Sequence, residues 1–487
     1  MYLLYLTLLA SVRGFGQTHA TSDSTYVAAV YEHRVILNPT PHISLSRLDA
    51  LQHMRQNLAV YEEQAALAAK QGAQIMVFPE DGIHGFNFTR SSISAYLENV
   101  PDPQEVMWNP CTEPGRFNHT EIQQQLSCMA RHHNLYVVAN MADVQPCPLK
   151  TDPTSSCPAD GRWQFNTNVV FRSDGLLVAR YHKYNLYFEN AFDKPPQPEI
   201  VTFDTPFAGR FGLITCFDIL FYEPTINLLE MGVRQLVFPT AWMNQLPLLD
   251  IIQFQRAFSL GADVTLLAAN IRSDSLIMTG SGIYTPLAAT YHHAQSQDPE
   301  EGRLLVARIP VLGTVADLGY SHLDGCPAPL PSSSTFTSTM MYDPFRFALF
   351  NHTQGEVKVC DGDLCCRLKF ERFQGNDELY ALGAFAGTHT INGRYAVQVC
   401  AVVRCAGSEP TSCGQIVEEA ETKFDFVLEG EFKTRHVYPS VLVSRYVLEQ
   451  PKRVEKSDGR VTMTHSNMAG GLVTACLYGR VYHLDDQ

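Results

Sequence analysis

The chain has 487 residues, a formal charge of −14, 45% hydrophobic and 18% charged residues. That balance excludes a disordered chain, and the length exceeds what one ordinary core organises, so two domains are expected. The acidic charge excludes nucleic acid as a partner, which needs a basic face, and an anionic membrane surface for the same reason.

The first ten residues, Met1 to Ala10, are almost wholly apolar, and Gly14 and Gly16 follow. The stretch is too short to span a bilayer and reads as a signal peptide over residues 1–16. Acceptor sequons at Asn87, Asn118 and Asn351 agree with a secreted, glycosylated, extracellular protein. Thirteen cysteines suit an oxidising compartment, and the odd count leaves at least one thiol free. The polar end of the chain carries no hydrophobic tail, so no membrane anchor is expected.

Tyr26–Tyr31 reads as a first strand. Leu51, Met54, Leu58, Tyr61, Ala65 and Ala68 recur at helical steps, which predicts a helix over Ser46–Gln71 closed by Gly72. Ile75–Phe78 is a short apolar strand that ends in Pro79-Glu80. A helix over Glu121–His132 precedes the strand Leu135–Ala139, which ends at Asn140. Asn168–Phe171 and Leu177–Tyr181 form an antiparallel pair around Ser173-Asp174-Gly175. The run Phe211 to Thr215 is a strand leading to Cys216, and a helix is expected over Pro224–Met231. Gln235–Phe238, a helix over Leu249–Leu260 and the strand Val264–Ala269, ending at Asn270, continue the alternation. Gly280-Ser281-Gly282-Ile283 reads as a turn beside a strand, and Leu304–Ile309 as the last strand.

Helices alternating with apolar strands over residues 25–310 predict a layered α/β catalytic domain. Residues 311–338 are rich in Pro, Ser and Gly, as in a linker or lid. Residues 339–487 carry short strand-like runs and seven cysteines, which predicts a smaller, mostly β, disulfide-bonded C-terminal domain.

Cys216 stands where a strand turns into a helix, a place that exposes a side chain beside unpaired N–H groups. Such a thiol can attack a carbonyl, and an inert core cysteine fits the same stretch, so partners must decide. Glu80 and Lys183 both follow apolar strands. Each alone suits a solvated rim charge. Together a carboxylate can take the thiol proton, and an ammonium can favour thiolate and oxyanion. No His-Glu-x-x-His spacing is present, and no metal or organic cofactor is expected.

Phe78-Pro79-Glu80, then Lys183, then Thr215-Cys216-Phe217-Asp218 resembles the nitrilase superfamily. The stretches Glu80 to Arg90, Arg162 to Asn168 and Pro239 to Asn244 resemble its biotinidase–vanin branch. The resemblance covers nearly the whole mature chain. It implies a nitrilase-type α-β-β-α sandwich and amide hydrolysis. Glu80 would be the base, Cys216 the nucleophile, and Lys183 with the Phe217 N–H the oxyanion holders. It also implies a small-molecule amide substrate, either biocytin or a biotinyl peptide, with pantetheine as the alternative. Asn140, Asn168, Trp242, Asn244 and Ser281 stand at or near predicted strand ends and are expected to line the pocket. Asp218 is expected to orient a neighbour or to satisfy backbone N–H groups.

With Cys216 free, Cys111–Cys128 and Cys147–Cys157 are the expected local pairs, and Cys360, Cys365, Cys366, Cys400, Cys405 and Cys413 pair among themselves. Cys326 and Cys476 stand where the sequence departs from the branch pattern, and they are expected to join.

Overall fold

The computed structural model describes residues 24–147, 156–313, 334–373 and 377–485. Period-two patterning decides the first strand, β1 (Thr25–Glu32). Val27, Ala29 and Tyr31 enter one apolar cluster and Tyr26, Ala28 and Val30 another. A strand buried on both faces needs a layer on each side. Next comes α1 (Arg47–Lys70), whose N-cap Ser46 accepts from the Asp49 N–H at 3.2 Å. In chain order there follow β2 (Ile75–Val77), α2 (Glu121–His133), β3 (Tyr136–Pro146), β4 (Arg162–Phe171) and β5 (Leu177–His182). Then come β6 (Thr202–Thr205), β7 (Gly209–Leu213), α3 (Asn227–Glu230), β8 (Gln235–Pro239) and α4 (Ile251–Ala262). The half closes with β9 (Thr265–Ala269), β10 (Ser281–Tyr284), β11 (Ala289–His292) and β12 (Arg303–Pro310).

These strands form two six-stranded sheets, ordered β12-β1-β2-β3-β4-β5 and β11-β10-β9-β8-β7-β6. Val30, Val77, Val138, Leu213, Val237 and Leu267 fill the space between them. Helices α1 and α2 cover the outer face of the first sheet. Apolar residues of α4 cover the outer face of the second. The architecture is therefore the α-β-β-α sandwich expected from the sequence.

The C-terminal half folds into a seven-stranded and a five-stranded antiparallel sheet. Phe350, Phe370, Leu382, Leu428 and Leu477 lie in the core they share. The outer face of the seven-stranded sheet packs on α4. Tyr438 and Tyr478 there belong to the same cluster as Phe254 and Phe258, so the two halves share apolar core. Arg480 reinforces the junction. It is fully buried and donates from Nε to the Leu220 carbonyl at 2.8 Å.

Five disulfides form among the described residues: Cys111–Cys128, Cys147–Cys157, Cys360–Cys365, Cys366–Cys400 and Cys405–Cys413. Cys476 corrects the expected Cys326–Cys476 bridge, because it is a buried free thiol. It lies in the strand Leu472–Arg480, with Ala401 and Ser440 in register on its two sides. Its side chain is buried in the apolar cluster that the sheet shares with α4, which closes it off from a distant segment. Cys326, the signal-peptide residues 1–16 and most of the expected linker lie outside the described residues.

Strand boundaries bring three corrections. β3 runs on past Asn140, and β4 begins well before Asn168, so both asparagines are mid-strand and paired in register. A hydropathy reading stops at polar residues, but here the strands continue because their partners satisfy those residues. Ser281 opens a strand rather than occupying a turn. The helix expected over Pro224–Met231 is reduced to a π-type turn at Tyr222–Ile226 followed by the short α3.

Candidate active site

Cys216 follows β7 by a short link and opens a 3₁₀ turn, Cys216–Leu220. Its φ of 44° lies in the left-handed region, which costs a side-chain-bearing residue energy and persists only where surroundings enforce it. The enforcing group is Asp218. Its Oδ2 accepts from the Thr215 N–H at 3.0 Å and from the Tyr181 hydroxyl at 2.7 Å. Its Oδ1 accepts from the Asn185 N–H at 3.0 Å and from Asn185 Nδ2 at 2.8 Å. Asp218 thus holds the turn, as expected, and leaves the Phe217 N–H in the first turn of a helix, where no intrahelical acceptor exists.

Glu80 follows β2 and Lys183 follows β5, two contributions from the rim of one sheet with β3 and β4 between them. Lys183 Nζ donates to Glu80 Oε1 at 2.6 Å and also to Glu189 Oε1. Asn166 Nδ2 bridges the two carboxylates at 2.8 Å each. The second Glu80 oxygen accepts from the Ala241 N–H at 3.0 Å, after β8. Glu80, Lys183 and Cys216 are 2%, 1% and 5% exposed, so their charges act on one another with little screening.

Burial pushes the Cys216 thiol well above its ordinary pKa; the Glu80 charge adds to this and Lys183 opposes it. The resting sulfur is therefore a thiol with a carboxylate nearby to receive its proton. Burial works against the Lys183 charge, yet Glu189, Glu80 and Cys216 together hold its pKa well above the usual value. Glu189 is itself raised by burial, with Lys183 pulling the other way. The arrangement can deprotonate a thiol, hold a developing oxyanion beside an ammonium, and return a proton to a leaving amine.

Cys216 sits at the junction of two cavities. One is narrow, about 450 Å³, and runs between the two halves along Phe217, Trp242, Leu249 and Tyr395. The other is wider, about 1290 Å³, and is lined by Glu80, Arg90, Glu189, Asn190 and Met278 among others. Of the five expected pocket residues, Trp242 lines a cavity. The other four line neither and support the site from behind. Asn140 receives the Asp81 N–H at 3.0 Å and donates to Asn166 and Asn168, and Asn168 donates to the Thr215 hydroxyl at 2.8 Å. Asn244 ties Thr279 to Ile251, and Ser281 ties Asn270 to Glu32. Sequence reasoning missed Glu189 and Asn166. Glu189 follows Lys183 in an irregular segment with no periodicity to place it, whereas the alternation of β4 puts Asn166 and Asn168 on the same face, a signal that was available.

The carbon–nitrogen hydrolase family matches residues 50–281, and the vanin C-terminal domain matches residues 334–485. A biotinidase from Takifugu rubripes is 70% identical over 95% of this chain and 95% of its own length. The human biotinidase is 46% identical over 94% of this chain and 90% of its own. A pantetheinase from Sus scrofa is 45% identical over 96% and 90%. The chain belongs to the carbon–nitrogen hydrolases, in the branch that carries a vanin C-terminal domain. It is an enzyme that acts on amides. No helix among the described residues is long and apolar enough to cross a membrane.

Proposed function

We propose that the enzyme hydrolyses biotinyl amides such as biocytin or biotinyl peptides, through a thioester on Cys216. The observation that carries this is the buried Glu80–Lys183 pair at a thiol shared by two cavities. The 70% identity to a biotinidase supports a biotinyl acyl group. Glu80 takes the thiol proton as sulfur attacks the carbonyl carbon. The oxyanion forms beside the Lys183 ammonium and the Phe217 N–H. Protonated Glu80 then gives its proton to the amine, the C–N bond breaks, and a biotinyl thioester remains. Glu80 next takes a proton from water, the hydroxide adds to the thioester, and the C–S bond breaks as Glu80 returns that proton to the Cys216 sulfur, which releases biotin as the product acid. Every proton is accounted for by one carboxylate and one water.

The catalytic domain is residues 25–310 and the C-terminal domain residues 339–487. The enzyme works outside the cell as a glycoprotein. Asn87, Asn118 and Asn351 are all exposed, and disulfides of this number belong to oxidising compartments.

Turnover of biocytin and pantetheine, measured side by side on one preparation, tests the reading. Biocytin is expected to give the larger kcat/KM, with a biotinyl mass on the Cys216 peptide after acid quench. A preference for pantetheine would move the enzyme to the vanin chemistry.

A further inference from the structure

The narrow cavity is built by both halves of the chain. Cys216, Phe217 and Trp242 come from the catalytic half, while Ile391, Asn392 and Tyr395 come from the C-terminal half. The latter three belong to the turn and strand start that join Tyr380–His389 to Tyr395–Arg404. The turn is held tightly against the site. A Cβ on Gly393 would stand 2.7 Å from the Phe217 ring, so glycine is the residue that lets the turn approach this closely. Asn392 also takes a positive φ, 59°. Tyr395 packs edge-on to Phe217 and Phe221 and lies under the Arg480 guanidinium at 4.9 Å. His389 anchors the base of the turn through Asp343, with Nδ1 to Oδ2 at 2.7 Å. Ile391 is a large apolar side chain at the cavity rim, 45% exposed.

The two cavities differ in width. The narrow one sets Gln245, His389 and Asn392 among rings such as Phe217, Trp242 and Tyr395. The wide one sets Glu80, Arg90 and Glu189 among apolar side chains such as Phe86, Phe192 and Met278. A substrate whose carbonyl carbon meets Cys216 must send its acyl group into one and its amine into the other. The amine side has to accept peptides of any length, release a charged product and admit water, which the wide cavity allows. An acyl group of fixed size is enclosed on more sides by the narrow one.

We infer that the turn Thr390–Arg394 is an acyl-selecting wall, so the C-terminal domain takes part in substrate choice. Ile391 and Asn392 contact the end of the acyl group remote from the scissile bond. The biotinyl identity of that group rests on the function proposed above. The position of the wall does not.

The test uses the full-length enzyme and two substrate series. One varies the acyl group, biotinyl, pantothenyl or hexanoyl, on 4-aminobenzoate. The other keeps biotinyl and varies the amine among lysine, 4-aminobenzoate and a lysyl peptide. Ile391→Ala and Asn392→Ala are compared with wild type, with melting temperature as the control of folding. Each variant is expected to change the preference for the wild type's best acyl group over hexanoyl by about tenfold, in the range that one or two side-chain contacts contribute to discrimination. The ranking of amines is expected to stay fixed. A shifted amine ranking with an unchanged acyl preference would assign the cavities the other way round and overturn the inference. Unchanged rankings in both series would overturn it too. Wild-type preference for pantothenyl over biotinyl 4-aminobenzoate would instead count against the proposed substrate alone.

Discussion

His182 and Lys183 are neighbours in sequence, and each is a buried cation held between two carboxylates. His182 has Asp143 at 2.8 Å from Nε2 and Glu199 at 2.8 Å from Nδ1. Lys183 has Glu80 and Glu189. The difference lies in what is left over. Both imidazolium donors are spent, and Asp143 is also occupied by the Val100 N–H and Gln145 Nε2. The Lys183 ammonium has three donors and spends two on carboxylates, leaving one for an oxygen or sulfur that arrives. A saturated cluster is a strut, and the same cluster with one donor spare is a place for chemistry.

Removing the atom that the open cluster serves has the largest effect. Cys216→Ser is expected to drop turnover below about a thousandth of wild type with the fold retained, since a hydroxyl ionises far less than a thiol. Steady-state rates and circular dichroism check it. Lys183→Met removes the spare donor and is expected to cost about a hundred- to thousandfold in kcat, the range for loss of one oxyanion donor. Lys183→Arg is expected to leave most of that deficit in place, because a planar fork does not fit a site shaped for a compact ammonium. Near-normal turnover in either Lys183 variant would make the two clusters alike.

Glu189→Gln sharpens the contrast more gently. The Glu189 charge is the largest of those holding the Lys183 pKa up. Its removal lowers that pKa, so the alkaline limb of the kcat profile is expected to move to lower pH. A fall in turnover of about tenfold, as for loss of one charge contact in the site, is expected to accompany it. An unmoved limb would show that Glu80 alone sets the ammonium.

The two clusters were unequally legible in the sequence. Glu80, Lys183 and Cys216 could be read because each follows an apolar strand, and the structure brings the three rims together. The sandwich could be read from the alternation of strands and helices. His182 and Asp143 could not, because Asp143 lies on the far part of β3, beyond the polar Asn140 where hydropathy ended the strand. Four of the five expected pocket residues failed for a related reason. A polar side chain at a strand end can face a cavity or the neighbouring rim, and backbone patterning does not distinguish the two. The narrow cavity was invisible, since its lining comes from halves separated by more than a hundred residues.

The closed cluster gives the smallest effect on turnover and a distinct one on stability. Burial lowers the His182 pKa, but its hydrogen bonds and charge contacts with Asp143 and Glu199 outweigh this and raise it overall. A raised folded pKa means the folded state binds the proton more tightly than the unfolded chain. The resulting stabilisation is full below the unfolded value of about 6.5 and is lost as pH rises through the higher folded value. His182→Gln is therefore expected to cost on the order of 3 kcal/mol at pH 5.5, because it leaves the Asp143 carboxylate buried without its cation. The deficit is expected to shrink as pH rises past the folded pKa, where the wild type has lost the same charge. Urea unfolding of both proteins at pH 5.5, 7 and 8.5 measures it. Turnover of the folded variant is expected to stay within about twofold of wild type, since no His182 donor was available to the substrate. A deficit that grows with pH would mean the imidazole is neutral in the fold, and a large loss of turnover at constant stability would make His182 part of the chemistry rather than a strut beside it.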